Sequence, residues 1–147
     1  MKKILLSILV LACLSAKAQR LVIGTGVERT VAGTEVTAAL GYQNAKQWGL
    51  GGFYQQDMVL PRLENNKNLP ASSWYGVFAN VPLAKSEKIT YSAQLRVGLA
   101  EQKYIQVVPS LETKIKITPW MAAGTGCSYR QGYAAFMVRT YFHFINR

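Results

Sequence analysis

The chain has 147 residues, half of them hydrophobic, only 16% charged, and a formal net charge of +10. That length fits one domain, and the apolar share excludes a disordered tail and leaves a charged fraction well under the ~25% of ordinary soluble domains. A large catalytic domain and a two-domain cofactor enzyme do not fit, and neither does a helical membrane protein: the longest apolar run beyond the N-terminus is 133–138, whereas a spanning helix needs about 20 residues.

The N-terminal segment reads as an export address. Lys2 and Lys3 precede the apolar run 4–14, and Ala16-Lys17-Ala18 places small residues at the alternate positions that signal peptidase accepts. Cleavage after Ala18 makes 1–18 a signal peptide and 19–147 the mature domain, and removing Lys2, Lys3 and Lys17 lowers the formal charge from +10 to +7. An exported protein is not expected to meet nucleic acid. The competing reading takes 10–13 as a lipobox with Cys13 lipidated, but Leu11 is bulky for that site. Without Cys13, Cys127 is the only cysteine, so no internal disulfide forms, and the residue reads as a small apolar side chain.

Eight strands are expected in the mature chain, at about 20–28, 35–44, 47–56, 73–83, 88–100, 103–117, 119–129 and 133–145. Between the third and fourth, residues 57–72 carry Pro61, Pro70 and the polar run Glu64-Asn65-Asn66-Lys67-Asn68, which predicts a long exposed loop. The period-two signal is strongest from the fifth strand onward. There Ile89, Tyr91, Ala93, Leu95, Val97 and Leu99 alternate with Thr90, Ser92, Gln94, Arg96, Gly98 and Ala100. Ile105, Val107, Leu111, Ile115 and Ile117 alternate with Tyr104, Gln106, Ser110, Glu112, Lys114 and Lys116 in the sixth. In the eighth, Ala134, Phe136, Val138, Thr140, Phe142 and Phe144 oppose Arg139, Tyr141 and His143. Short connections at 44–46, 100–102 and 130–132 predict antiparallel hairpins, and an even number of these closes into an up-and-down barrel without exposed edges.

Alternation alone leaves open which face is inside: a soluble ligand-binding barrel turns its apolar face inward, a membrane barrel outward. Three features favour the outward reading. Tyr42, Trp48, Tyr54, Tyr75, Tyr91, Tyr129, Phe142 and Phe144 share the apolar parity and cluster near strand ends, as the two interfacial girdles of a membrane barrel would. Gly24, Gly26, Gly49, Gly51, Gly124 and Gly126 take the polar parity, where a narrow lumen needs room for Trp74, Phe78, Tyr104 and Arg139. The polar face of a soluble barrel would also carry many more charges.

With these features the mature chain resembles, by pattern, the small eight-stranded outer-membrane β-barrel proteins of Gram-negative bacteria. The resemblance implies an all-β, eight-stranded antiparallel up-and-down transmembrane β-barrel in the outer membrane. It also implies a periplasmic N-terminus, with connections 27–34, 57–72, 100–103 and 130–132 extracellular. Two features depart from it: Ile145, Asn146 and Arg147 follow the terminal aromatic Phe144, and Pro109 falls inside a strand, where a bulge or an early rim is expected.

Inside such a barrel, Glu35, Arg96, Glu112, Lys114 and Arg139 take the inward parity with both signs present. They are expected to form a paired, structural polar network rather than an ion path, because shielded charges need partners. Arg29, Arg62, Lys67, Lys103 and Arg130 against Glu28, Asp57, Glu64 and Glu101 are expected in solvated loops, with rim cations near lipopolysaccharide phosphates. Met58, Val59, Leu60, Leu63 and Leu69 make the long loop a candidate protein-docking segment.

No catalytic, metal or cofactor site is expected. His143 is the only histidine and belongs at the end opposite the one where lipid-modifying barrels hold a Ser and His pair, and the glycines at 24–26 and 124–126 lack the third glycine and helix of a dinucleotide loop. The resulting expectation is a non-enzymatic outer-membrane barrel with a structural or interaction role, an accessory of an envelope assembly. The alternatives are a secreted or periplasmic soluble barrel for a small apolar ligand and, third, a lipid-modifying enzyme.

Overall fold

The computed structural model describes residues 20–31, 33–58, 73–100, 104–130 and 132–145. The expected signal segment, most of the long loop and the sequence after Ile145 lie outside the described residues. Eight strands follow in order: β1 (Arg20–Arg29), β2 (Thr34–Gln43), β3 (Gly49–Asp57), β4 (Ser73–Lys85), β5 (Ile89–Ala100), β6 (Tyr104–Thr118), β7 (Met121–Arg130) and β8 (Tyr133–Ile145). Each lies within two residues of the bounds read from the sequence, because alternation and turn chemistry agree at every hairpin.

Each strand pairs antiparallel with its sequence neighbour, and β1 pairs with β8 along its whole length, from Arg20 opposite Ile145 to Arg29 opposite Phe136. The barrel is therefore closed, and no strand is left as an edge. The connections after β1, β3, β5 and β7 gather at one end, the loop end. The turns after β2, β4 and β6 gather with Arg20 and Ile145 at the other, the terminal end. At the loop end Gly132 enters β8 with φ +88°, the left-handed backbone that a tight hairpin requires.

Closure with this register decides which face is inside. Glu28, Glu35, Gln55, Arg96, Glu112, Arg130 and Arg139 are buried, while Leu40, Val77, Leu95, Val107, Leu111 and Val138 are exposed. Apolar parity thus points outward, the reverse of what a soluble apolar-ligand barrel requires. Glycine makes the dense interior possible. A Cβ on Gly124 would collide with the Glu112 carboxylate and the Tyr141 ring, and one on Gly26 would collide with Arg139 and the Val138 carbonyl.

Three details settle or correct the sequence expectations. No register shift occurs at Pro109, which faces outward opposite Leu95. Of the two expectations there the early rim holds: the β6–β7 ladder begins only at Ser110, so the proline stands where β6 has no partner on that side and its missing N–H costs nothing. The register shifts fall at Pro82/Ala84 and at Lys116/Thr118, both toward the terminal end. Tyr104, expected to fill the lumen, begins β6 at the loop-end rim and is 63% exposed.

Candidate functional site

The lumen is filled by side chains from all eight strands, arranged in two layers. In the layer nearer the loop end, Arg96 on β5 meets Glu28 on β1, with Nη2 2.9 Å from Oε2, and its Nη1 donates to Gln55 Oε1 at 2.6 Å. The Gln55 amide donates in turn to Glu28 and Glu35, and Ser128 Oγ donates to Glu28. Arg130 on β7 forks onto Glu35, its Nη1 lying 2.7 and 2.6 Å from the two carboxylate oxygens. Both guanidinium groups lie against the Trp74 ring, at 5.2 Å for Arg96 and 5.1 Å for Arg130. Trp74 also meets Phe53 edge to face, and Ala100 and Val108 complete this small apolar cluster. Two carboxylates thus face two guanidinium groups, and burial is tolerable because the charges are paired and further hydrogen-bonded.

The layer nearer the terminal end is organised by Glu112 on β6. Tyr141 Oη donates to Glu112 Oε1, and Lys114 Nζ lies 3.5 Å from its Oε2 and donates to Asn80 Oδ1 at 3.2 Å. The same ammonium stands 4.5 Å from the centre of the Tyr141 ring. Arg139 donates to Gln94 Oε1 at 2.5 Å and reaches up to Glu28 at 3.8 Å, joining the two layers. Within this layer a cavity of about 40 Å³ remains beside Gly24, Gly41, Phe78, Asn80 and Tyr141, room for a few waters rather than an aqueous pore.

Of the five interior residues singled out from the sequence, the structure places Glu35 and Arg96 in the first layer, Glu112 and Lys114 in the second, and Arg139 between them. Glu28 and Arg130 require a correction. Expected among solvated loop charges, they are 1% and 6% exposed and pair inside. Both sit at strand ends beside a loop, so nearness to the connection masked their inward parity. Glu28 shares the parity of Gly24 and Gly26, and that signal would have placed it. Arg29, one residue on, is exposed and donates to Thr34. Gln55, Gln94, Ser128 and Tyr141 were also missed as partners, since neutral polar residues carry no charge-balance signal.

The outer face is a belt with aromatic margins. Tyr42, Trp48, Tyr91, Phe142 and Phe144 lie toward the terminal end, where Phe142 stacks on Trp120 with ring centres 6.2 Å apart. Tyr54, Tyr75 and Tyr129 lie toward the loop end, with Tyr54 opposite Tyr75 across β3 and β4. Tyr104 and Tyr133 extend that margin. Between the margins the outward positions of the described strands carry no Asp, Glu, Lys or Arg except Arg29, the last residue of β1 at the loop end. Cys127 is one of these outward positions. Among the described residues no three His, Cys, Asp or Glu side chains are placed to hold a metal ion.

Neither a family model nor a curated protein matches the chain. Among solved structures it is similar to a de novo designed transmembrane β-barrel, with TM-score 0.68 and 11% identity over 87% of this chain and 98% of that one. It is likewise similar to the designed TMB2.3 determined by solution NMR, with TM-score 0.67 and 8% identity over 87% and 96%. A natural neighbour is the outer membrane protein Ail of Yersinia pestis in a phospholipid bilayer nanodisc, with TM-score 0.57 and 12% identity over 86% and 99%. At these identities the likeness is one of fold. The chain is a closed eight-stranded antiparallel barrel of the outer-membrane type.

Proposed function

We propose that the chain is an integral outer-membrane barrel with a structural or interaction role rather than a catalytic one. The observation that carries this reading is the outer face: outward positions between two aromatic margins that are free of charge but for Arg29 at a strand end, around a lumen in which charges are buried and paired. In water, such a surface exposes far more contiguous apolar area than a soluble monomer tolerates. Against lipid, the same surface is the required one. The described strands have 9 to 15 residues, matching the ~9–11 residues that a tilted strand needs to span a bilayer.

A lumen packed by its own side chains supports a wall or platform role over solute passage. Lipid and lipopolysaccharide are then its surroundings, and loop 57–72, with its apolar Met58, Val59, Leu60, Leu63 and Leu69, is its candidate contact with another envelope protein. The protein should fractionate with outer membranes and run faster on gels when unboiled. Recovery in the aqueous fraction overturns the reading. Introducing Leu95→Arg in mid-belt should then block assembly into bilayers at a cost of about 2–4 kcal/mol, whereas an exposed site on a soluble barrel would accept it. Deleting residues 60–70 should remove co-purifying envelope protein without affecting the barrel, and an unchanged set of partners excludes the docking role.

A further inference from the structure

We propose that the terminal-end mouth of the lumen is a binding site for a phosphate-class anion, either inorganic phosphate or a phosphomonoester headgroup. A cavity of about 60 Å³ opens there below Lys114, lined among others by Arg20, Lys88, Lys116 and His143. Glu87 is the one carboxylate among its described lining residues. Within the lumen Lys114 is engaged by Glu112 and Asn80, but Arg20, Lys88 and Lys116 form no ion pair among the described residues. This is the reverse of the loop-end layer, where every guanidinium has a carboxylate.

Several backbone features aim donors into this space. The register shift at Lys116/Thr118 leaves Ile117 outward and brings Lys116 and Thr118 to the mouth from one strand end, as a bulge does when it re-aims side chains. Lys116 N donates to the Lys88 carbonyl at 2.8 Å, tying the two lysine-bearing segments together. On the opposite wall the β2–β3 turn folds inward. Gln47 has φ 68°, a left-handed conformation uncommon for a residue with a side chain. Its carbonyl accepts from the Gln43 and Asn80 amides at 3.2 and 3.3 Å, and its side-chain oxygen accepts from Thr90. That turn is fixed as a rim rather than left as a loose connection.

Two residues lining this cavity, His143 and Thr118, each carry a buried polar atom, Nδ1 and Oγ1, with no hydrogen-bond partner among the described residues. Buried unpartnered polar groups are uncommon and costly. An anion with oxygens in several directions satisfies them together with the ammonium groups of Lys88 and Lys116. Chloride has no such spread of acceptors. A cavity several times the ~10–15 Å³ that one water needs has room for a phosphate group but not for a folded polyanion.

The test titrates inorganic phosphate into the refolded full-length barrel in phospholipid-free maltoside micelles, at constant ionic strength so that screening is not read as binding. The readout is calorimetry or phosphorus NMR line width. Saturable binding is expected, weakened about tenfold or more in Lys88→Gln/Lys116→Gln, the scale of losing two charge-assisted hydrogen bonds. Lys88→Arg/Lys116→Arg should retain it, and the faster migration of unboiled samples shows that each variant is folded. Binding that never saturates, or equal affinity in the glutamine variant, overturns the proposal. Phosphatidic acid, whose headgroup is a phosphomonoester, added to the micelles distinguishes the sources: competition with phosphate assigns a lipid headgroup, and absence of competition assigns the free anion.

Discussion

The two ends of the lumen solve the same electrostatic problem differently. Toward the loop end, Glu28 and Glu35 match Arg96 and Arg130, with Gln55 and Ser128 adding hydrogen bonds and the Trp74 ring lying against both guanidinium groups. Toward the terminal end, Glu112 is the one carboxylate of the layer above the mouth, and cations accumulate below it at Lys114, Lys116, Lys88 and Arg20. The contrast follows exposure. Arg96, Glu28, Arg130 and Glu35 are almost entirely buried, and a charge there cannot persist unpaired. Lys88, Lys116 and Arg20 are exposed and keep their hydration, so a surplus of one sign costs little until a ligand displaces that water.

The largest expected effect breaks the sealed end. Arg96→Ala leaves Glu28 buried beside Ser128 and Gln55 without its closer guanidinium, with Arg139 3.8 Å away as the remaining one. It should lower the unfolding free energy by about 3–5 kcal/mol, read as a shifted denaturant midpoint in detergent or bilayers. Glu28→Ala strands Arg96 in the same way, and the double variant should cost less than the sum of the two, because each single variant already removes the pair. Additive costs would mean that the pair acts through packing on Trp74 and Phe53 alone. Next come Glu112→Ala and Arg139→Ala, at about 1–3 kcal/mol each. Lys114 keeps Asn80 and the open mouth when Glu112 is lost, and loss of Arg139 takes one partner from Gln94 and only the more distant of the two guanidinium groups beside Glu28. If both variants unfold like the parent, the second layer is not a stabilising network. Gly124→Val tests the same layer sterically: its side chain would displace the Glu112 carboxylate and the Tyr141 ring, at a cost of about 1–3 kcal/mol from overpacking.

The architecture was legible because period-two patterning reports the two faces of a strand directly, and Leu95 with Arg96, or Val138 with Arg139, is unambiguous once the barrel closes. Which face is inside was legible too, but only from combined signals: aromatics such as Tyr54 and Tyr75 on the apolar parity and glycines such as Gly26 and Gly124 on the other. Pairing partners were not. Gln55 lies 41 residues from Arg96 in sequence and Arg130 lies 95 from Glu35, and no local pattern reports contacts across a lumen. Glu28 and Arg130 were misplaced for a related reason: a charge beside a loop looks solvated until the depth of the neighbouring strand ends is known. The mouth was least visible, since Lys88 in a turn and Lys116 at a bulge meet through β5–β6 pairing and Arg20 at the start of β1 joins them only through closure of β1 on β8.

The smallest effect is the one that separates the two ends most cleanly. Lys116→Gln removes a cation from the mouth without leaving any carboxylate unpaired, because no ion pair to Lys116 exists among the described residues. Its stability cost should be within about 0.5 kcal/mol of zero in low salt, and the sign should favour the variant, since a like-charged neighbour of Lys88, Lys114 and Arg20 is lost. Raising the salt should erase that gain by screening the same repulsion in the parent. Arg96→Ala should behave in the opposite way, destabilised at every salt concentration, because its partner lies in a region that mobile ions do not reach. A salt-independent loss in Lys116→Gln would show that the mouth, like the sealed end, is held by specific pairing, and the two ends would then be one network rather than two.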